Sequence, residues 1–85
     1  MITELQHRGH CRLMLRIPAW RAEFCEGSDP DFLDVCEAYE LAWRGLMVAE
    51  DIGAGKLAVE YREMVDWLEI EAVTLALWTR NRRAI

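Results

Sequence analysis

The sequence predicts an all-α fold, a small helical bundle of three to four helices whose last two form a long antiparallel hairpin. Two observations lead to this prediction. After residue 29, apolar residues recur at steps of three and four in two long segments, which is the period of an α-helix. Gly53-Ala54-Gly55 separates these segments and has the short length that joins neighbouring helices in bundles. Because 85 residues leave room for one domain, we assign residues 1–85 to a single helical domain.

The first helix of the hairpin is predicted over residues 29–49. Ser28 and Asp29 are both suitable N-cap residues, and Pro30 fits the first turn. Acidic residues at this point also stabilise the positive end of the helix dipole. The predicted core face of this helix consists of Phe32, Val35, Cys36, Tyr39, Ala42, Trp43, Leu46 and Met47.

The last helix is predicted over residues 56–80, which contain neither glycine nor proline. One apolar face consists of Leu57, Tyr61, Met64, Val65, Leu68, Ala72, Leu75 and Ala76. A second apolar set consists of Trp67, Ile70, Val73, Leu77 and Trp78. A helix that is apolar on two sides must be covered on two sides. A strand over Glu69–Leu77 is the alternative, and helix is favoured because the pattern continues unbroken from Leu57.

The first 27 residues admit more than one interpretation. Pro18 and Gly27 frame a short helix over residues 19–26. Residues 11–17 alternate like a strand or extended arm, but Thr3-Glu4-Leu5-Gln6 has the spacing of a capping box and predicts a helix. We favour the helix, since a single strand in this chain would have no partner for its backbone groups.

The charge pattern is acidic in the middle of the chain and basic at its ends. The chain has ten Lys and Arg residues and fifteen Asp and Glu residues, which gives a net charge of -5. Because binding to phosphates requires positive charge, we do not expect this protein to bind nucleic acid directly. The predicted acidic surface consists of Asp31, Asp34, Glu37, Glu40, Glu60, Glu63 and Asp66. The predicted basic tail consists of Arg80, Arg82 and Arg83.

The cysteine and histidine content predicts neither a disulfide framework nor a cofactor. Cys11, Cys25 and Cys36 are odd in number, which favours reduced thiols and a cytoplasmic location, although a Cys25–Cys36 bridge is conceivable. His7, His10 and Cys11 are weak candidates for a metal site, because their spacing matches no common zinc site. No apolar run reaches the roughly 18–20 residues of a membrane helix, and we expect no signal peptide.

We therefore expect a non-enzymatic protein–protein interaction module, a small regulatory or adaptor protein that self-associates as a homodimer. Its predicted interface is the second apolar set of the last helix. The four tryptophans either fill the interior, or one or two of them lie exposed and anchor a partner. One alternative is a small acidic inhibitor, of the kind phages and plasmids encode, that blocks a nucleic-acid-binding complex by charge mimicry. A second alternative is a metal-binding switch at the N-terminus.

Overall fold

The computed structural model describes residues 2–25 and 29–83, and every regular element in these ranges is helical. The elements are α1 (Glu4–Arg16), a 3₁₀ turn (Pro18–Trp20), α2 (Arg21–Cys25), α3 (Pro30–Asp51) and α4 (Gly55–Arg83). The two longest helices, α3 and α4, pack closely against each other, and α1 packs on α3. The predicted all-α fold with a long antiparallel hairpin is confirmed.

Helix α1 includes most of the segment whose sequence also resembled an extended arm. The Thr3 hydroxyl accepts a hydrogen bond from the Gln6 backbone N–H at 3.1 Å, and the Gln6 side chain accepts one from the Thr3 N–H at 3.0 Å. This reciprocal capping box satisfies two N–H groups that the helix itself leaves unpaired. The helix ends at Arg16 because the ring of Pro18 cannot continue it.

The boundaries of the other helices differ slightly from those predicted. The short helix predicted over residues 19–26 is a 3₁₀ turn followed by α2, and residues 26–28, including the candidate cap Ser28, lie outside the described residues. Asp29 caps α3, since its carboxylate accepts a hydrogen bond from the Asp31 N–H at 2.8 Å. Helix α3 continues two residues beyond the predicted end, to Asp51, before a turn in which Gly53 has a φ of 70°.

The core lies where α3 faces both α1 and α4. The residues buried there are Leu13, Phe24, Phe32, Cys36, Tyr39, Ala42, Val65, Leu68, Ala72 and Ala76. Of the predicted inner face of α4, Leu57 and Met64 are largely exposed instead. Both lie in the first ten residues of α4, where α3 is its principal neighbour.

One carboxylate joins the three long helices. Glu69 on α4 accepts a hydrogen bond from the Tyr39 hydroxyl of α3 at 2.6 Å and one from Arg16 Nε of α1 at 3.1 Å. Tyr39 is fully buried, and this burial, followed by the Glu69 contact, raises the pKa of its hydroxyl. The hydroxyl therefore stays protonated and continues to donate to Glu69.

Helices α1 and α3 approach each other closely at Gly9, where the absent side chain leaves room for the backbone of Cys36. Cys36 is fully buried, and burial raises the pKa of its thiol to about 12. Cys11, Cys25 and Cys36 are all free, so the conceivable Cys25–Cys36 bridge is not formed.

We expect Gly9→Ala to destabilise the bundle. An added methyl group would overlap the Cys36 carbonyl, which is backbone and cannot rotate away, so the helices must separate. Overpacking of this kind lowers the free energy of unfolding by about 1–3 kcal/mol, and we expect the upper end of that range. Urea denaturation followed by far-UV circular dichroism measures the change.

The matched control is Gly55→Ala at the start of α4, where nothing lies within 4 Å of the added carbon. We expect it to leave the free energy of unfolding unchanged within about 0.5 kcal/mol or to raise it slightly. Equal stability of the two variants would contradict the close α1–α3 contact.

Candidate interaction surface

The outward side of α4 presents a continuous set of exposed apolar side chains. We call Trp67, Ile70, Leu77 and Trp78, with Thr74 between them, the α4 stripe. The exposed fractions of the four apolar side chains are 61%, 65%, 45% and 62%, in that order. At 3.6 residues per turn, these positions lie opposite the buried Val65, Leu68, Ala72 and Ala76. Helix α4 is therefore covered on one side only.

The structure places Val73 differently from the other four residues of the predicted interface. Val73 is half-buried and packs against the core. It also lines a shallow groove of about 460 Å³ beside the α4 stripe. The lining residues of this groove are Ile17, Asp66, Glu69, Ile70, Val73 and Thr74. The predicted interface is thus an exposed stripe with a groove along one edge.

The α4 stripe forms one large apolar patch. With about three-fifths of each ring exposed, Trp67 and Trp78 present roughly 200–300 Å² between them. Ile70 and Leu77 bring the patch to several hundred Å², which is the size of the largest patch on a typical monomer and is often functional. Of the other tryptophans, Trp20 and Trp43 are half-buried and pack against the core.

Sequence reasoning missed a second group of exposed apolar residues near the hairpin turn. They are Leu41, Met47 and Val48 on α3, Ile52 directly after its end, and Leu57, Val59 and Met64 on α4. Met47, Leu57 and Met64 are predicted on core faces, and the structure exposes all three. The spacing of Leu41, Val48 and Ile52, at seven and four residues, places them on one side of α3 and is the signal that could have identified them.

Only part of the predicted acidic surface is exposed to solvent. Asp31 and Asp34 on α3 are exposed, as are Glu60, Glu63 and Asp66 on α4. Glu37 is half-buried. The predicted row along α3 therefore contains two fully exposed carboxylates, and the exposed acidic residues of α4 all precede the α4 stripe.

Glu40 is a correction to the predicted acidic surface, because its side chain is buried and lies between two arginines. Its carboxylate accepts hydrogen bonds from Arg12 Nε of α1 at 2.5 Å and from Arg44 Nε at 2.9 Å. Burial alone would raise the pKa of Glu40, but the contacts with the two guanidinium groups outweigh it and lower the pKa. Glu40 follows the buried Cys36 by four residues, so the two residues share a helix face.

Arg80 is also a correction, because its half-exposed side chain is paired with a residue of α2 rather than free in a basic tail. One of its Nη atoms lies 2.7 Å from the carboxylate of Glu23, which is 7% exposed, and its guanidinium stacks 4.0 Å from the ring of Trp20. Arg82 and Arg83 lie in the last turn of α4, but their side chains lie outside the described residues.

Two of the three candidate metal ligands, His7 and Cys11, lie close together, but His10 is hydrogen-bonded elsewhere. His10 donates from Nε2 to the Phe24 carbonyl at 2.7 Å, whereas His7 Nε2 lies 3.7 Å from Cys11 Sγ. Within residues 2–25 and 29–83, no three His, Cys, Asp or Glu side chains gather in a way that could hold a metal ion. The metal-switch alternative therefore has no geometric support in these residues.

A cleft of about 260 Å³ between α1 and α3 contains basic and aromatic side chains. It is lined by Arg12, Leu15, Arg16, Tyr39 and Trp43. The guanidinium carbons of Arg12 and Arg16 lie 5.7 and 5.9 Å from the Trp43 ring centre. Since both arginines are paired with glutamates of the bundle, the cleft retains little uncompensated charge for an anionic ligand.

We expect Glu40→Gln to lower the free energy of unfolding at pH 7 by about 1–3 kcal/mol, because it removes a charged acceptor from two arginines. The additional stability of the wild type is fully present above pH 4.5, the ordinary pKa of a glutamate. It is lost as the pH falls through the lower pKa of Glu40 in the folded protein. The two proteins should therefore converge in stability once the pH is below that lowered pKa, as urea titrations at successive pH values would show.

The control for this measurement is Asp34→Asn, which changes an exposed carboxylate on the same helix. We expect a change within about 0.5 kcal/mol at pH 7. If Glu40→Gln and Asp34→Asn gave equal stability at every pH, the buried ion-pair assignment would be wrong.

In the part of the chain that the structure describes, no helix has the length and apolarity needed to cross a membrane. No protein-family model, curated protein or solved structure shows significant similarity to this chain. The α4 stripe and its surroundings are therefore interpreted from their own geometry and chemistry.

Proposed function

We propose that this protein is a non-enzymatic protein–protein interaction module, a small regulatory or adaptor protein that self-associates as a homodimer through the α4 stripe. The single observation that supports the proposal best is the exposure of Trp67 and Trp78, at 61% and 62%. Large aromatic side chains are enriched at the centres of protein interfaces, where each one excludes water from a wide area. The free thiols of all three cysteines are compatible with the cytoplasmic location that we also propose.

A second copy is a chemically suitable occupant of the α4 stripe. A two-fold axis matches identical patches, so an apolar patch on one copy always meets an apolar patch on the other. The steps from Trp67 to Ile70, Thr74 and Leu77 are three, four and three residues, which is the spacing of a coiled-coil seam. The groove beside Ile70 adds a depression that can receive a side chain from the facing helix.

The available area indicates a dimer of moderate strength. Two copies of a patch of several hundred Å² approach the roughly 1,000 Å² that a specific interface requires. We therefore propose a concentration-dependent equilibrium between monomer and dimer rather than an obligate assembly. Such an equilibrium suits a regulatory protein, because the dimer fraction follows the protein concentration.

The charge-mimicry alternative has less support. The burial of Glu40 interrupts the acidic row on α3, and the α4 carboxylates are followed directly by apolar rings rather than by further charges. The salt dependence of binding distinguishes charge mimicry from self-association. Binding to a cationic groove weakens steeply as salt increases, whereas association through apolar side chains does not.

We expect Trp78→Ala to weaken the homodimer by about 2 kcal/mol or more, which is roughly a 30-fold increase in the dissociation constant. The reason is the loss of one exposed ring from each side of the symmetric interface. Sedimentation velocity over a range of concentrations measures the dissociation constant, and circular dichroism checks that the helices remain.

The control is Leu15→Ala, which removes an apolar side chain that is 76% exposed on α1 and lies outside the α4 stripe. Its dissociation constant should match that of the wild type. A wild-type protein that stays monomeric at every concentration, or a Trp78→Ala dimer of unchanged affinity, would refute the proposed interface.

A further inference from the structure

We infer that the two copies join with their α4 helices antiparallel, so that the first half of each α4 runs beside the C-terminal end of the other. This inference rests on the proposed self-association and adds the orientation and register of the partner. It follows from the distribution of charge around the α4 stripe, which is strongly asymmetric along the helix.

The apolar residues of the α4 stripe fix the overlap but not the direction. The stripe extends from Trp67 to Trp78, which corresponds to about 16 Å at 1.5 Å per residue. Both a parallel and an antiparallel pair can place the whole stripe of one copy against the whole stripe of the other. In the antiparallel case, the two-fold axis passes near Ala72 and Val73, at the middle of the stripe.

Charge distinguishes the two directions. Glu60, Glu63 and Asp66 are exposed in the two turns before the α4 stripe. A parallel pair would align these three carboxylates with the same three carboxylates of the second copy. Like charges that face each other across a helix pair are destabilising, and here the repulsion would act beside the apolar contact that holds the pair together.

An antiparallel pair replaces this repulsion with a neutral match. Glu63 precedes Trp67 by four residues and Asn81 follows Leu77 by four, so the two residues lie in line with the α4 stripe at its two ends. Both are exposed. Reversing one helix puts Glu63 at the level of Asn81 of the second copy.

The helix dipoles favour the same direction. A parallel pair aligns two positive N-terminal ends and two negative C-terminal ends, whereas an antiparallel pair sets each end beside its opposite. The contribution is small, but it has the same sign as the side-chain charges. The helix dipoles and the exposed carboxylates before the α4 stripe therefore both favour the antiparallel pair.

Crosslinking between two single-site variants tests the orientation. Glu63→Cys and Asn81→Cys are each made in a Cys11→Ser, Cys25→Ser background, which leaves only the buried Cys36. Each variant is treated alone, and the two are treated together, with a short bismaleimide, and the products are separated by denaturing electrophoresis. We expect the crosslinked dimer to be at least about tenfold more abundant in the mixture, because a docked pair holds its thiols at a high effective concentration.

The control mixture combines Asn81→Cys with Arg8→Cys, an exposed position on α1, and it measures crosslinking by random collision. Efficient crosslinking of Glu63→Cys with itself would indicate a parallel pair and overturn the inference, while the proposed self-association would stand. Sedimentation of the same samples distinguishes a wrong orientation from an absence of self-association. Protein that sediments as a dimer but crosslinks only at the control level overturns the antiparallel register, and protein that remains monomeric overturns both proposals.

Discussion

The bundle depends on the packing of α3 between α1 and α4, and the contact that joins all three helices is the carboxylate of Glu69. The Tyr39 hydroxyl and Arg16 both donate to it, so one acceptor on α4 fixes the rotation of α3 and the position of α1. A buried hydroxyl without an acceptor would cost about 1–3 kcal/mol, and a carboxylate without a donor would cost more. The network is therefore satisfied in one arrangement of the helices, which also determines the side of α4 that remains uncovered.

This dependence explains the position of the α4 stripe. With Glu69 directed towards Tyr39, Val65, Leu68, Ala72 and Ala76 face the core, and the opposite side of the helix faces away. Of the other helices among the described residues, α3 already packs on the core side of α4, and the 13-residue α1 packs on α3. Among the described residues, no element is left to cover the second side of α4. A second copy supplies one without any change in the fold of the first.

The sequence predicts the elements of this protein better than it predicts the contacts between them. Periodic apolar residues locate α3 and α4, and the Thr3–Gln6 capping box locates the start of α1, because these signals lie within a few residues of each other. The exposed side of α4 was also predicted, apart from Val73, since a stripe on the far side of a helix follows from spacing alone. The burial of Glu40 and the pairing of Arg80 with Glu23 were not predicted. Their partners are 28 and 57 residues away in sequence, and no local spacing encodes such a contact.

The contacts of Arg80 with Glu23 and Trp20 affect how readily α4 can associate with a second copy. The ends of long helices generally fray, and a frayed end would have to become ordered at the moment of binding. Here the ion pair with Glu23 and the stacking on Trp20 hold the helix two residues after Trp78. The rings at that end are therefore carried on a backbone that is already ordered. When a second molecule docks, less entropy is lost, because that turn does not have to be immobilised.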